Sequence, residues 1–344
     1  MLRRYTPWRA ALALLVSAGL SASVAAQTSN CNCRTLQVGP VVMTVADMDR
    51  SVDFYTRVLT FTKRSDVERS GALVDELYRI SGARVRAVDL KLGEESIELI
   101  QFIGAASAPI PTDSRSNDLD LQHVAIIVSD MDRAYAVLRQ NKVQHISSYP
   151  QRLPDWNPNA AGIKAFYFRD PDGHPLEILQ FPPGKGDAKW QKADRRLFLG
   201  IDHTAIAVSN TSASVEFYRN LLGLQIAGES ENYGFEQEHL NNVFSAHLRI
   251  TSLRGPAGIG VELLEYIAPR DGRTAPASAS AADISHHETV LLVDNIAGIN
   301  SCLGGAKIHP VSVKQISGNE LLFRASQAEL IQDPDGHPLL LLQR

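Results

Sequence analysis

Residues 124–138 read VAIIVSDMDRAYAVL, which is an apolar run, a short polar turn and then apolar residues at helical spacing. The same layout returns at residues 41–55 (VVMTVADMDRSVDFY), 204–218 (TAIAVSNTSASVEFY) and 289–303 (TVLLVDNIAGINSCL). The valine that ends each apolar run recurs after 83, 80 and 85 residues. A period near 80 residues exceeds the roughly 20–50 residues of common solenoid repeats, which favours a small module that has been repeated by duplication.

Each repeat predicts one unit of strand, helix and further strands. The apolar run is rich in valine, isoleucine and threonine, which favours a strand. The turns that follow contain Asp47 and Asp130, whose side chains can cap a helix. Further strands are predicted at residues 84–92 and 96–102 in module one, and at 247–253 and 260–266 in module three.

A second phrase indicates that the modules come in pairs. DPDGHP stands at residues 170–175 and again at 333–338, which is 163 residues later and about twice the module period. Its proline and glycine predict a turn that leads into a last strand, so His174 and His337 are interpreted as structural. The predicted organisation is a first paired-module domain at 36–182, a linker at 183–197 and a second such domain at 198–344.

The composition is that of a folded globular protein. The 344 residues are 44% hydrophobic and 21% charged, which excludes disordered, collagen-like and coiled-coil classes. A net charge of −4 argues against a nucleic-acid partner, which would require a basic surface. Three cysteines are too few for a disulfide scaffold.

Residues 1–26 have the layout of a secretory signal peptide: three arginines without an acid, an apolar run, and small residues before Gln27. The apolar run at 10–20 is too short to span a bilayer core of about 30 Å, so removal is expected rather than anchoring. Removal would leave 318 residues with a net charge of −7. The mature protein is therefore expected to be secreted or periplasmic, with no membrane partner. The three cysteines are Cys31, Cys33 and Cys302. In an oxidising compartment, two of them could form a disulfide.

Paired modules of this kind resemble the vicinal oxygen chelate superfamily, which includes glyoxalase I, bleomycin resistance proteins, extradiol dioxygenases and epimerases. The resemblance rests on LQHVAIIV at 121–128, IDHTAIAV at 201–208 and DPDGHPLE at 170–177. It covers nearly all of the chain after the predicted signal peptide. The resemblance implies an α+β fold, in which four βαβββ modules form two eight-stranded, glyoxalase-like cups. It does not determine the reaction, because this fold hosts several chemistries.

The resemblance also implies where metal ligands stand, because in the family they come from the first and the last strand of a module. The first-strand position lies five residues before the valine that ends each apolar run, and it holds, in module order, Pro40, His123, His203 and Glu288. The last-strand position holds Glu98, Glu177, Glu262 and Leu340. Modules two and three alone carry both a histidine and a glutamate.

This pattern favours a crossed pairing of modules, in which one pairs with four and two pairs with three. One cup then holds a complete set of metal ligands, and the other cup holds an incomplete set. The predicted site consists of His123, Glu177, His203 and Glu262. Pairing in sequence leaves both cups short of ligands and stays open as the alternative. Carboxylates on apolar strands are costly unless they are paired or bind metal, which favours the metal site. The pair His286-His287 is out of register and is expected at the surface, with replacement of the missing ligand by His287 as the alternative.

Two imidazoles and two carboxylates suit a divalent cation such as Zn, Ni, Co, Fe or Mn. Such a metal can act as a Lewis acid toward two adjacent substrate oxygens and stabilise an enolate. Glu177 or Glu262 would be the catalytic base, as a metal glutamate is in glyoxalase-like enzymes. The repeat aligns His247 with Arg84 beside the site, and His247 is a candidate proton shuttle, although a solvent-facing position is an equal alternative.

The predicted function is therefore an exported, metal-dependent enzyme of the lyase or isomerase type, monomeric or homodimeric, with a small-molecule substrate. One alternative is an extradiol ring-cleaving dioxygenase, which ranks lower because neither sequential pair supplies two histidines and one glutamate. The other alternative is a non-catalytic binding protein of the same fold, with which an incomplete cup is compatible. The metal content of the protein would distinguish these classes.

Overall fold

The structure is a computed structural model that describes residues 33–192, 195–303, 311–312 and 325–343. The predicted signal peptide and Cys31 lie outside these residues. Within them, no helix combines the length and apolarity needed to cross a membrane.

Strands dominate all four modules. Module one contains β1 (Thr35–Thr44), β2 (Thr62–Ser70), β3 (Arg84–Leu92) and β4 (Glu95–Phe102). Module two contains β5 (Leu121–Val128), β6 (Gln144–His145), β7 (Gln151–Arg152), β8 (Lys164–Arg169) and β9 (Pro175–Gln180). Module three contains β10 (Phe198–Ala207), β11 (Gln225–Tyr233), β12 (His247–Arg254) and β13 (Gly260–Ala268). Module four contains β14 (His287–Val293), β15 (Val311–Ser312), β16 (Gln327–Gln332) and β17 (Pro338–Gln343).

The strands form two sheets, and each sheet combines one module from each half of the chain. The order in the first sheet is β15-β16-β17-β14-β1-β4-β3-β2, and in the second it is β11-β12-β13-β10-β5-β9-β8-β6, with β7 beside β8. The two sheets are the two cups of the expected α+β fold, called cup 1–4 and cup 2–3 after their modules. The crossed pairing is confirmed, because β1 pairs antiparallel with β14 and β5 with β10.

A helix follows the first strand of each module, as predicted, and modules one and three have a second helix after their second strand. The helices after a first strand are α1 (Met48–Asp53), α3 (Met131–Gln140), α4 (Thr211–Val215) and α6 (Ile296–Leu303), and those after a second strand are α2 (Ala72–Tyr78) and α5 (Phe235–Asn241). α1 and α4 continue into π-helical turns at Phe54–Val58 and Glu216–Leu221, and a short 3₁₀ helix spans Ala188–Gln191. The predicted caps are present, because Asp47 and Asp130 each accept a hydrogen bond from a backbone N–H three residues later, at 3.0 and 2.9 Å.

Successive side chains along each strand point to opposite faces of the sheet, so the buried residues fall into two regions. One face of both sheets, together with helical residues such as Tyr55 and Leu138, forms a single buried cluster that joins all four modules. The opposite face lines the inside of each cup. In cup 1–4 this inner face carries a separate apolar cluster that includes Val42 and Val290. Two smaller clusters line cup 2–3, one of which includes Tyr167 and the other Ala205.

The two DPDGHP turns hold consecutive modules together. Asp170 accepts hydrogen bonds from the His174 ring at 2.9 Å and from the Tyr55 hydroxyl at 3.0 Å. Asp333 repeats this with His337 at 2.9 Å and Tyr218 at 3.1 Å. Each turn therefore ties the last strand of one module to the helix of the module before it. This use of both imidazoles agrees with their interpretation as structural residues.

Two glycines allow the cups to approach each other closely. Gly93 lies at φ +65° and Gly258 at φ +87°. A Cβ on Gly93 would overlap the carbonyl oxygen of Leu199, and a Cβ on Gly258 would overlap that of Val38. Both contacts join module one to module three, so the close packing of the two cups requires glycine at these turns.

Candidate metal centre

The strand register brings the four predicted ligands to one place on the inner face of cup 2–3. On neighbouring strands, His203 and Glu177 flank Ala125, with one on each side. In the same way, His123 and Glu262 flank Ala205. Both alanines are fully buried and their short side chains leave room between the ligand positions.

Three of the four side chains converge on a common point. The Nε2 atoms of His123 and His203 are 3.0 Å apart. The Oε2 atom of Glu177 lies 3.2 Å from the first nitrogen and 3.7 Å from the second. Ligand atoms of these three residues all lie within 4.8 Å of one another, and no other such group of three occurs among the described residues.

The partners of the Nδ1 atoms orient both imidazoles toward this point. His123 Nδ1 faces the side-chain oxygen of Gln122, and His203 Nδ1 faces Asp202 Oδ2 at 3.0 Å. Because both partners are acceptors, the Nδ1 atoms carry protons, and both Nε2 atoms point inward. Two nitrogen lone pairs at this separation repel each other unless a proton or a metal cation lies between them.

The environment of Glu177 supports the same interpretation. Its Oε2 is buried and receives no hydrogen bond from the described residues. A buried carboxylate oxygen without a donor is costly, and a divalent cation would remove that cost. The donor set of imidazole nitrogens and carboxylate oxygens is one that divalent transition metals accept. The residues present therefore fit a divalent metal ion.

Charge at the site is strongly biased toward binding a cation. Burial lowers the pKa of His203, but Glu262, Asp202 and Glu177 outweigh it and raise the pKa to about 9. Asp202 is itself held ionised, because His203, Arg254 and Trp190 overcome the effect of its burial and lower its pKa. A metal would therefore replace a proton that His203 holds in its absence.

Glu262 stands apart from the three-residue cluster. Its Oε2 lies 3.4 Å from His203 Nε2, while its Oε1 accepts a hydrogen bond from Ser252 at 2.5 Å. Its side chain is 21% exposed, whereas that of Glu177 is 4% exposed. Glu262 thus borders the centre and has more freedom to move than the other carboxylate.

The structure does not bring His247 into this cluster. His247 Nε2 pairs with Glu231 at 2.6 Å, and its ring contacts Tyr233. Arg84, with which the repeat aligns it, likewise pairs with a carboxylate, Glu68, at the protein surface. A shuttle role for His247 remains a prediction from sequence.

Cup 1–4 lacks the two histidines, as the sequence indicates. Glu98 and Glu288 flank Val42 there, and Leu340 lies beside Val290. The expectation that His286 and His287 lie at the surface is wrong. His287 is 3% exposed and lies against Asp120 and His337, and the His286 side chain is 11% exposed and lies beside Glu288.

A segment of module two spans cup 2–3 and packs against module three. Ser147 Oγ donates to the carbonyl of Leu240 at 2.6 Å, and Asn157 Nδ2 donates to Asn232 Oδ1 at 2.7 Å. Trp156, near the tip of the segment, stacks on Tyr233 with ring centroids 4.4 Å apart. The segment comprises residues 144–161.

Sequence reasoning missed the residues that orient the ligands. Gln122 and Asp202 each directly precede a ligand histidine, in LQH and IDH. A polar residue before each histidine, within an otherwise apolar strand, is the signal that was available. The partners that hold Asp202 come from elsewhere: Trp190 Nε1 donates to it at 2.8 Å, and Arg254 pairs with it at 2.5 Å.

Comparison with known proteins identifies the family. The model of the Glyoxalase/Bleomycin resistance protein/Dioxygenase superfamily matches residues 37–178 and, a second time, residues 200–341. The chain therefore belongs to this superfamily. Each match spans two consecutive modules, whereas each cup combines modules from both matches.

Individual relatives cover part or most of the chain. A 2-epi-5-epi-valiolone epimerase from Actinomyces sp is 31% identical over 149 residues, which are 42% of this chain and 79% of that protein. The YaeR protein of Escherichia coli is 29% identical over 150 residues, which are 42% of this chain and 95% of that protein. Glyoxalase I from Zea mays has a TM-score of 0.55 at 14% identity, with 90% of this chain and 92% of that chain covered. The similarity to glyoxalase I from Zea mays shows that the two proteins share a fold.

Proposed function

We propose that the protein is a metal-dependent enzyme of the lyase or isomerase type that acts on a small molecule with two adjacent oxygens. The observation that supports it most is the convergence of His123, His203 and Glu177 in the crossed cup, with Glu262 at its border. Membership of the superfamily supports the broader class of metal-dependent, glyoxalase-like enzyme.

The described residues divide the chemical tasks between them. A divalent cation bound by His123, His203 and Glu177 would supply Lewis acidity for a carbonyl and its neighbouring oxygen. Glu262 is the better candidate base, because it is more exposed than Glu177 and Ser252 holds one of its oxygens in place. A positioned base of this kind contributes about 10²–10⁴ in rate.

The name of the Actinomyces relative supports proton transfer at carbon. An epimerase inverts a stereocentre, and at a carbon beside a carbonyl this is done by removing a proton and returning it to the other face. Glu262 could remove such a proton, and the buried interior of the cup would exclude water from the resulting enolate.

A specific observation also favours a second candidate, the extradiol-type dioxygenase. The tight cluster consists of two histidines and one glutamate, which is the ligand set of non-haem iron(II) oxygenases. From the sequence this class ranks lower, because no sequential pair of modules supplies that set. In the crossed cup the set is complete, so the role of Glu262 separates the two candidates.

Metal analysis of matched variants tests both proposals. Purified protein is expected to contain one divalent metal per chain, and His123→Ala and His203→Ala should each lose it. His239→Ala is the control, because this histidine lies outside the cluster and its Nδ1 pairs with the carbonyl of Phe235 at 2.8 Å. Wild-type protein free of metal, or loss in only one of the two variants, would contradict the site.

The identity of the metal and one further variant then distinguish the chemistries. Iron together with oxygen uptake on catechol would favour the dioxygenase. For the lyase or isomerase, Glu262→Gln should retain the metal and lose about 10²–10⁴ of the rate of proton exchange at the substrate carbon. Retention of full exchange activity by Glu262→Gln would exclude this residue as the base.

We also propose that the protein is exported and acts in the periplasm or outside the cell. The support is the signal-like layout of residues 1–26 and the disulfide-bonded state of Cys302, since disulfides persist in oxidising compartments. Cys33, in contrast, is free and buried, and burial raises its pKa to about 11. N-terminal sequencing of protein recovered from cell fractions tests this, with cleavage before Gln27 expected and an intact cytoplasmic chain contradicting it.

A further inference from the structure

Cup 1–4 carries two buried carboxylates at the level where cup 2–3 carries ligands. Glu98 and Glu288 flank Val42 in the register, as Glu262 and His123 flank Ala205 in the other cup. Both carboxylates are buried, at 3% and 0% exposure. Two such charges on an apolar inner face need a positive partner.

An arginine from the same sheet supplies this positive charge. Arg69 on β2 holds Glu98 in a two-point pair, with nitrogen–oxygen distances of 2.9 and 3.0 Å. Its side chain is 13% exposed. Burial lowers the pKa of Arg69, but Glu98 and, to a smaller extent, Glu288 outweigh it, so that the group stays charged.

The register shows that this arginine has no counterpart in cup 2–3. Arg69 pairs across β3 with Val85, and the corresponding position on β11 is Asn232, which pairs with Leu248. Asn232 is occupied instead by the module-two segment, through its hydrogen bond from Asn157 at 2.7 Å. Cup 1–4 thus contains a buried cationic side chain at a position where cup 2–3 has a neutral asparagine.

The remaining groups of cup 1–4 form an incomplete ligand set. His286 Nε2 lies 2.9 Å from Glu288 Oε1, while Glu288 Oε2 is buried and has no hydrogen-bond partner among the described residues. A cavity of about 940 Å³ is lined by His286 and Tyr78, so solvent and ions can approach His286 from outside.

We propose that Arg69 takes the place of a metal ion in cup 1–4. The ligand atoms of Glu98, Glu288 and His286 do not converge as those of cup 2–3 do, because Arg69 holds Glu98, and loss of Arg69 would free Glu98 to bind a divalent metal together with Glu288 and His286. A guanidinium and a divalent cation cannot both neutralise Glu98 in the same space. Arg69 gives the cup a permanent positive charge that neither a chelator nor a change of pH within the ordinary range removes.

Zinc titration of full-length variants tests the proposal. Arg69→Met removes the charge at similar length, and it should bind one more Zn²⁺ per chain than wild type. Arg69→Lys keeps a positive charge and should bind the same amount as wild type. Arg69→Met/Glu98→Gln removes the charge together with its partner and should also gain no zinc. Folded Arg69→Met that gains no zinc, or a double variant that does gain it, would overturn the proposal.

The readout does not depend on the metal centre of cup 2–3. In a His123→Ala/His203→Ala background, addition of Arg69→Met should again raise the zinc content by one equivalent. If Arg69→Met folds only when zinc is present, its thermal midpoint should rise with zinc concentration. The charge-balanced double variant should fold without metal, and its failure to fold while Arg69→Lys folds would show a different role for Arg69.

Discussion

The buried pair of Asp170 and His174 should make the stability of the protein fall as the pH rises above neutrality. Asp170 accepts hydrogen bonds from the His174 ring at 2.9 Å and from the backbone N–H groups of His174 and Asp172 at 2.9 and 2.8 Å. Burial lowers the pKa of His174, but Asp170 outweighs it and raises the pKa to about 9. The same histidine lowers the pKa of the Asp170 carboxyl.

The sign and the magnitude follow from these shifts. Folded protein keeps the His174 proton up to about pH 9, whereas the unfolded chain releases it near pH 6.5. The stabilisation is complete below pH 6.5 and disappears as the pH rises through about 9. One pKa unit corresponds to about 1.4 kcal/mol, so this histidine contributes about 3 kcal/mol. Asp170 acts in the opposite direction, and its contribution disappears as the pH falls below about 4.

Urea unfolding of wild type and Asp170→Asn at pH 6.5 and 9.5 measures this effect. Without the carboxylate, burial dominates and His174 is neutral at both pH values. The loss of stability between the two pH values should therefore be about 3 kcal/mol smaller in Asp170→Asn than in wild type. At pH 6.5 the variant should be less stable by about 3–5 kcal/mol, because a buried ion pair is broken.

Asp118→Asn is the matched control. Asp118 is also largely buried and accepts hydrogen bonds from Arg273, at 2.7 Å for the shortest, but an arginine does not titrate in this range. This variant should lose stability with pH as steeply as wild type does. Equal slopes for wild type and Asp170→Asn would refute the linkage between the DPDGHP turn and pH.

Further predictions concern the packing around the metal centre and between the cups. Ala205→Val would place two extra methyl groups between the ligands and is expected to abolish metal binding, whereas Val42→Ala in cup 1–4 should leave the metal content unchanged. Gly258→Ala should lower the free energy of unfolding by at least about 1–3 kcal/mol, since its Cβ would overlap a backbone carbonyl. Gly228→Ala, whose Cβ would meet nothing within 4 Å, should have little effect in the same urea experiment. Removal of bound metal by a chelator should lower the thermal midpoint of unfolding. Metal at a free concentration of 100 Kd contributes about 2.7 kcal/mol to the free energy of unfolding.

Much of the fold was predictable because each repeat shows the same local pattern of apolar and polar residues. The strand and helix of each module follow from patterns such as VAIIVSDMDRAYAVL, whose apolar spacing needs no information from distant residues. The crossed pairing was also predictable, since modules two and three alone carry both ligand types. Pairing of β5 with β10 confirms that inference.

Other features depended on contacts that no local pattern encodes. The sequence predicts His286 and His287 at the surface, but His287 is buried against Asp120 and His337, which are distant from it in the chain. Arg69 is one charge in a largely exposed strand, and only the fold shows that its guanidinium reaches Glu98, 29 residues away. The arginine and tryptophan that hold Asp202 come from positions 52 and 12 residues distant.

The sequence by itself determined the modules, their number and the ligand types, because hydrophobic period and residue chemistry are local properties of a chain. Tertiary structure decided how those ligands meet. Ala125 and Ala205 lie between two ligands each because β5 and β10 pair across the midpoint of the chain, and the corresponding positions in the other cup are filled by Val290 and Val42. Folding also decides how each buried charge is balanced. The contacts of about 3 Å between His123 and His203, and between Arg69 and Glu98, arise only on folding.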